Sequence, residues 1–308
     1  MSILSEPQYH SEEDAYAFVE AHVWASGRVC PHCGVFDKSG LLKGKSTRIG
    51  LYKCYACRKP FTVKIGTIFE ASHVKLHIWL QAIFLLCSSK KGMSSNQLHR
   101  TLGVTLKTAW FMSHRIREAR REGKLPGGLG GEGKFVEADE TYVGGKAKNR
   151  AYAEKLPRHE PVVALVERKG RVASFHVPNV NATNMKPIIK EQISAKSHLR
   201  TDESAIYLEP GKSFASHETV NHSAKEYVRG DAYTNTVEGY FSILKRGIHG
   251  VYHHVSETHL KRYLAEFDFR YNHRVALGYD DAARADKALE GIRGKRLMYR
   301  GSREAAHA

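Results

Sequence analysis

The chain has 308 residues, 42% hydrophobic and 26% charged, enough for two or three domains with at least one sizeable core. No apolar run approaches the ~18 residues of a membrane span, and the acidic start MSILSEPQYHSEEDAY lacks the apolar core of a signal peptide. The net charge of +16, from 48 Lys and Arg against 32 Asp and Glu, points to a polyanionic partner, nucleic acid before membrane, because no basic amphipathic anchor stands out.

Residues 1–70 read as a zinc ribbon with a short leading helix. Residues 11–24 (SEEDAYAFVEAHVW) carry a cap at Ser11 and acids in the first turn. Cys30-Pro-His-Cys33 and Cys54-Tyr-Ala-Cys57 follow, twenty residues apart. Each C-x-x-C knuckle places two sulfurs on one tight turn, and Cys30, Cys33, Cys54 and Cys57 together satisfy one tetrahedral, structural Zn²⁺. This is metal-ligand spacing and not a disulfide framework, so the expected location is cytoplasmic. His32 is a bystander, since four thiolates complete the shell. Residues 46–53 and 60–65 look like strands. Arg48, Lys53, Arg58 and Lys59 would face DNA or a partner.

Residues 71–125 read as a helical module. Residues 73–86 (HVKLHIWLQAIFLL) are apolar and helical in length. Ser94 or Ser95 caps a short helix through Leu102, Gly103 breaks it, and Thr105 caps a longer helix over 106–121. That order resembles a helix-turn-helix. The second helix carries Lys107, Arg115 and Arg117, which are expected to meet DNA phosphates or guanines; the alternative is a packing module with a solvated charged face. Cys87 reads as a small core residue. Residues 126–133 (PGGLGGEG) read as a flexible linker.

Residues 134–275 carry the candidate chemistry. Residues 134–139 (KFVEAD) read as a strand ending near Asp139, with Gly144 and Gly145 suited to a turn. Residues 162–168 and 172–177 form a hairpin. Residues 183–193 look helical, 198–202 (HLRTD) form a strand ending at Asp202, and 216–222 form another strand. In DAYTNTVEGYFSILKRGI, Val237, Phe241, Leu244 and Ile248 make one apolar helical stripe. Glu238 and Lys245 stand two turns apart on its edge. Adjacent strand ends can bring Asp139 and Asp202 together, and the helix adds Glu238. Three such acids bind Mg²⁺ or Mn²⁺ for an in-line displacement at phosphorus. Asn235-x-x-Glu238 also fits a capping box, and Asp231 a simple cap. Glu140 and Glu203 are second choices beside Asp139 and Asp202, and Glu137 shares the face of Asp139. A helix over 257–271 packs through Leu260, Leu264, Phe267 and Tyr271. Residues 276–308 form a basic tail with one helical run over 280–292.

The motifs DETYVGG, TDES, VNHS, YVRG, TNTVEGYFSILKRGI and GVYHHVSETHLKRYLAEFDFRYNHR resemble the DDE transposases of bacterial insertion sequences that carry an N-terminal zinc ribbon. The resemblance runs from about residue 15 to the KRLMYR segment at 295–300 and is most specific over 218–274. It implies a multidomain chain whose catalytic domain is an α/β RNase H-like fold with a mixed sheet. It also implies metal-dependent DNA cleavage and strand transfer at the element's own ends. Asp139, Asp202 and Glu238 match the three acids by position, and Lys245, with Arg246 beside it, matches the basic residue that touches the element end. Some relatives use Asn for the third acid, which keeps Asn235 in view. Two ends cut together imply a homodimer or higher oligomer on terminal repeats and target DNA. The other classes that fit are a non-catalytic zinc-ribbon/helix-turn-helix regulator and an RNase H-like nuclease without strand transfer.

Overall fold

The computed structural model describes residues 3–123, 125–144 and 159–297. Gly145 of the expected turn, and the tail from Met298 onward, lie outside the described residues. The described chain divides into two compact units: residues up to Arg121 together with those from Tyr279 on, and Glu122–Gly278. Among the described residues, no helix is long and apolar enough to cross a membrane.

In the first unit, α1 (Glu12–Val23) begins where Ser11 Oγ accepts the Asp14 N–H at 3.2 Å, with Glu12, Glu13 and Asp14 at its positive end. Ala15, Val19 and Val23 bury one face. The ribbon is a three-stranded antiparallel sheet of β1 (Ser39–Leu41), β2 (Tyr52–Cys54) and β3 (Pro60–Phe61). Its strands are shorter than the patterns over 46–53 and 60–65. The Thr47 amide bonds the Gly44 carbonyl at 3.0 Å, and that turn sits between β1 and β2.

Helix α2 (Leu76–Ser88) is buried nearly all round, with eight of its residues in the core. It starts at Leu76, later than the apolar run suggests, because the Glu12 carboxylate accepts the Leu76 and His77 amides and so caps it from α1. Helices α3 (Ser95–Leu102) and α4 (Leu106–Ala119) start at Ser94 and Thr105, whose side chains accept the Gln97 and Thr108 amides, both at 3.2 Å. Gly103 stops α3 at φ +66°, where a glycine pays no steric penalty. The C-terminal helix Asp281–Glu290 packs against α2.

The second unit holds β4 (Phe135–Val143), β5 (Glu160–Glu167), β6 (Val172–His176), α5 (Ala182–Gln192), β7 (His198–Asp202), the one-turn α6 (Leu208–Gly211), β8 (Ser216–Val220), α7 (Asn235–Gly247) and α8 (Glu257–Asn272). The sheet order is β6-β5-β4-β7-β8. The first three strands pair antiparallel, while β7 and β8 run parallel to β4. Residues 162–166 are fully buried because both faces of β5 are covered. Val136, Ala138, Val163, Leu165 and Leu199 pack with Met185 and Ile189 of α5. Val162, Ala164 and Val166 pack on the other face with Val237, Phe241 and Leu244 of α7 and Leu264 and Phe267 of α8. The apolar stripes read from both helices are therefore the buried ones.

Strand β4 runs beyond the pattern over 134–139, since Thr141, Tyr142 and Val143 continue it opposite Val162, Pro161 and Glu160. Asp139 thus lies mid-strand. The glycine-rich run 126–133, expected to be slack, is tied to the sheet. Leu129 is buried, its amide bonds the Gln192 carbonyl at 2.7 Å, and its carbonyl accepts the Ser194 amide at 2.9 Å. A Cβ on Gly130 would stand 2.1 Å from Ser197 Oγ, so here glycine permits close approach more than it supplies flexibility.

Candidate active site and metal centre

The parallel pairing of β4 with β7 covers Phe135, Val136 and Glu137 against His198, Leu199 and Arg200. The same offset continued two residues makes Asp139 level with Asp202, where this pairing has stopped. On β4, odd-numbered residues face α7, since Asp139 pairs with Ala164 of that core. A notch therefore opens beside β4, at the strand where the sheet changes from antiparallel to parallel neighbours.

Burial pushes Asp139 up to about 7, and the negative charges of Glu140, Asp202 and Glu238 push the same way. Its one opposing partner is the Glu140 amide, 2.8 Å from Oδ1. Asp202 is also raised, first by burial and then by Glu203, while His222 draws it down. Glu238, 50% exposed, reaches in from the first turn of α7. Its Oε1 accepts the Thr234 hydroxyl at 3.1 Å and lies 3.8 Å from His222 Nε2. His222 Nε2 is 3.2 Å from the same hydroxyl. Asp139 thus senses the other two acids, although the three carboxylates do not close within the 4.8 Å that the four ribbon thiols reach. Hard oxygen donors of this kind fit Mg²⁺ or Mn²⁺.

The neighbouring acids do different things. Glu140 faces the α5 side and takes the Tyr207 hydroxyl. Glu203 accepts the amides of His222 and Ser223 and the Ser223 hydroxyl, which holds it down to about 2. Glu137 is fully buried. It accepts the amides of Thr236 and Val237 at 2.8 and 3.0 Å, the Thr236 hydroxyl at 2.8 Å and Arg168 Nε at 2.6 Å. Glu137 is therefore the N-terminal cap of α7, delivered from the strand that carries Asp139. The Asn235–Glu238 capping box does not form: Asn235 is the exposed first residue of the helix, and the cap position belongs to Thr234. Asp231 does not occupy that cap position. The role of Glu137 has one sequence signal, its place two residues before Asp139 on the same face.

Lys245 and Arg246 are exposed on α7, with Arg246 bonded to Ser242. Lys107 is exposed near the start of α4. Arg115 and Arg117 correct the expectation of DNA contacts: they are 4% and 1% exposed. Arg115 donates to the Ile68 and Glu70 carbonyls, both at 2.7 Å, and Arg117 to Ser113 Oγ at 2.9 Å. Arg115 ties α4 to the turn after Ile68, while Arg117 donates to a hydroxyl of its own helix.

In the ribbon, Cys30 and Cys57 sulfurs stand 3.7 Å apart, as do those of Cys33 and Cys54. A tetrahedral site with Zn–S bonds of about 2.3 Å has sulfur edges of about 3.8 Å, so the four thiols fit the ion. The amides of Cys57 and Ala56 hold the Cys54 thiol down to about 7, which favours the ligating thiolate. His32 stays outside, its ring nitrogen 3.2 Å from the Pro60 carbonyl.

Two family models match this chain. The ISXO2-like transposase domain matches residues 128–272, and the transposase zinc-ribbon domain matches residues 10–60. An uncharacterized protein in transposable element ISH50 of Halobacterium salinarum is 29% identical over 269 residues, covering 80% of this chain and 86% of the relative. An uncharacterized transposase-like protein of Haemophilus influenzae is 29% identical over 104 residues, 34% of this chain and 83% of that protein. The ribbon cysteines, the mixed sheet and these matches agree: the chain belongs to the DDE transposases of insertion sequences that carry an N-terminal zinc ribbon.

Proposed function

We propose that this chain cuts DNA at the ends of its own insertion sequence and joins them to a target, with Asp139, Asp202 and Glu238 as the catalytic acids. The observation that carries this reading is the level placement of Asp139 and Asp202 at the notch, with Glu238 near enough to raise Asp139. The strand order, with β4 central between an antiparallel hairpin and two parallel strands, supports an RNase H-like domain. Asp139, Asp202 and Glu238 would hold Mg²⁺ or Mn²⁺, which would supply Lewis acidity for a displacement at phosphorus.

The chain's own residues supply the placement. Thr234 and His222 fix the Glu238 carboxylate. Glu137 fixes the start of α7 relative to β4. Asp139, raised to about 7 in the metal-free chain, must shed its proton to hold a cation, so binding there releases a proton and weakens as pH falls. Lys245, two helical turns or roughly 10 Å beyond Glu238, offers an ammonium to a phosphate of the bound strand.

DNA binding on the first unit rests on α3 and α4 as a helix-turn-helix. Its contacts shift to the exposed start of α4 around Lys107, the end of a recognition helix that meets base edges in that motif. The ribbon and its basic residues add a second contact. Action on paired ends calls for a homodimer or higher oligomer.

The test is cleavage and joining of labelled DNA carrying the gene's own flanking ends, with Mg²⁺ or Mn²⁺, for wild type beside Glu238→Gln. Metal-dependent nicking and joining, lost in the variant while DNA binding persists, is the expected result. DNA binding lost together with activity in Glu238→Gln overturns the catalytic assignment.

A further inference from the structure

A second set of donors converges on the α8 side of the same sheet. Glu160 opens β5, His176 closes β6 and Glu257 opens α8. One donor atom from each lies within 4.8 Å of the others, and His176 Nε2 is 2.9 Å from Glu160 Oε2. The register explains the meeting. His176 pairs with Val162, whose side chain packs with α7 and α8. Glu160, two residues earlier on β5, points to the same face. Positions 160, 176 and 257 are remote in sequence, so folding alone assembles the set.

The strand residues are largely enclosed, with side chains 16% and 19% exposed, while Glu257 is exposed. Among themselves, two carboxylates and one imidazole carry net negative charge whether or not the ring is protonated. Imidazole nitrogen mixed with carboxylate oxygen, open on one side to water, is a donor set for Mn²⁺ or Zn²⁺ more than for Mg²⁺. The set is separate from the catalytic acids. Glu160 pairs with Val143, four residues along β4 from Asp139, or about 14 Å.

We propose that Glu160, His176 and Glu257 form a further metal site for a divalent first-row transition ion, Mn²⁺ or Zn²⁺. The site ties the edge hairpin of the sheet to the start of α8. It touches no reacting phosphate, and its role is structural.

The experiment uses the full chain with its ribbon zinc-loaded, carrying Asp139→Asn, Asp202→Asn and Glu238→Gln to remove the proposed catalytic site. Mn²⁺ is the probe, and unbound Mn²⁺ is counted by its electron paramagnetic resonance signal. The expected result is about one Mn²⁺ per chain, weakened on the order of 10- to 100-fold by Glu257→Gln and by His176→Gln. Gln at 257 keeps the shape and hydrogen-bonding capacity of the exposed Glu257 side chain, and Gln at 176 keeps a polar group for Glu160. Release of the Mn²⁺ by added Zn²⁺ supports the same site. No Mn²⁺ bound in the triple variant, or binding that both further substitutions leave unchanged, overturns the proposal. The readout involves no DNA, so it succeeds or fails apart from the transposase reading.

Discussion

Glu137→Ala asks whether β4 positions Glu238 as well as carrying Asp139. Alanine removes four acceptor contacts at once: two helix amides, one hydroxyl and Arg168. It leaves the Arg168 side chain, 12% exposed, without its carboxylate. Breaking a buried ion pair costs about 3–5 kcal/mol, and losing a helix cap about 0.5–2 kcal/mol. The two losses overlap in one carboxylate. Arg168 also keeps the Tyr233 carbonyl at 2.9 Å and the Tyr233 ring, whose centroid is 3.4 Å away. The expected local cost is therefore about 3 kcal/mol, within the ~5–15 kcal/mol that holds a domain folded. The assay is hydrogen exchange of peptides covering α7. At about 1.4 kcal/mol per tenfold, the helix should exchange on the order of 100-fold faster in Glu137→Ala. Glu137→Gln keeps an acceptor and should give an intermediate rate, and Asp139→Asn should give no acceleration. Exchange of α7 in Glu137→Ala at the wild-type rate would refute the claim that the helix is held from β4.

Asp139, at about 7, sits above the ~3.9 of an unfolded aspartate, so the metal-free folded chain keeps a proton that the unfolded chain releases. Its contribution to stability is full below about pH 3.9 and is lost as pH rises through about 7. Melting without added divalent ions should therefore show Asp139→Asn gaining on wild type from about pH 4 to about pH 7 and levelling off above; a gap independent of pH contradicts this. Cys54→Ser should release the ribbon's zinc and unfold the core of Tyr52, Phe61 and Trp24, as read by zinc content and circular dichroism. A folded, zinc-free wild type would count against that. Arg115→Ala should destabilise the first unit by about 2–4 kcal/mol, because three carbonyl contacts lose their donor. Lys107→Ala should cost the first unit less stability than Arg115→Ala and reduce the salt slope of DNA binding by about 1. The reverse pattern would restore Arg115 as the DNA contact.

Short-range signals in the chain proved readable. Ser11, Ser94 and Thr105 cap the helices they precede, the four ribbon cysteines converge, and the stripe through Val237, Phe241 and Leu244 is buried. The sequence is mute where the partner is remote. Glu137 finds its amides 99 and 100 positions away, and nothing local distinguishes it from a metal ligand. Arg115 reads as a solvated or DNA-facing cation because charge predicts exposure. It is buried because the turn after Ile68 presents carbonyls that need a donor. The glycines of 126–133 read as slack because composition does not reveal that Leu129 pairs with Ile193. Asp139 reads as a strand end because the turn signal at Gly144 masks how far Thr141–Val143 extends the pairing with β5.

The acids of the notch divide by their donors. Glu137 and Glu203 are surrounded by N–H and O–H groups, and Glu203 is held down to about 2, first by the Ser223 hydroxyl. Asp139, on the strand of Glu137, and Asp202, next to Glu203 at the end of β7, have one backbone amide each and are raised. A carboxylate supplied with donors needs no cation. One left facing like charges does, and in its absence takes a proton. The supplied pair also reaches the third acid. Glu137 fixes the start of α7, and Glu203 fixes the turn at 222–223, whose His222 lies against Thr234 and Glu238. This division has a sign. Neutralising Asp139 removes a buried charge first and like-charge repulsion second and should stabilise the metal-free fold, whereas neutralising Glu137 removes attraction and should destabilise it. A merely structural cluster of acids would lose stability at both positions. Opposite signs on one strand, two residues apart, are what a cation site with its own scaffold requires.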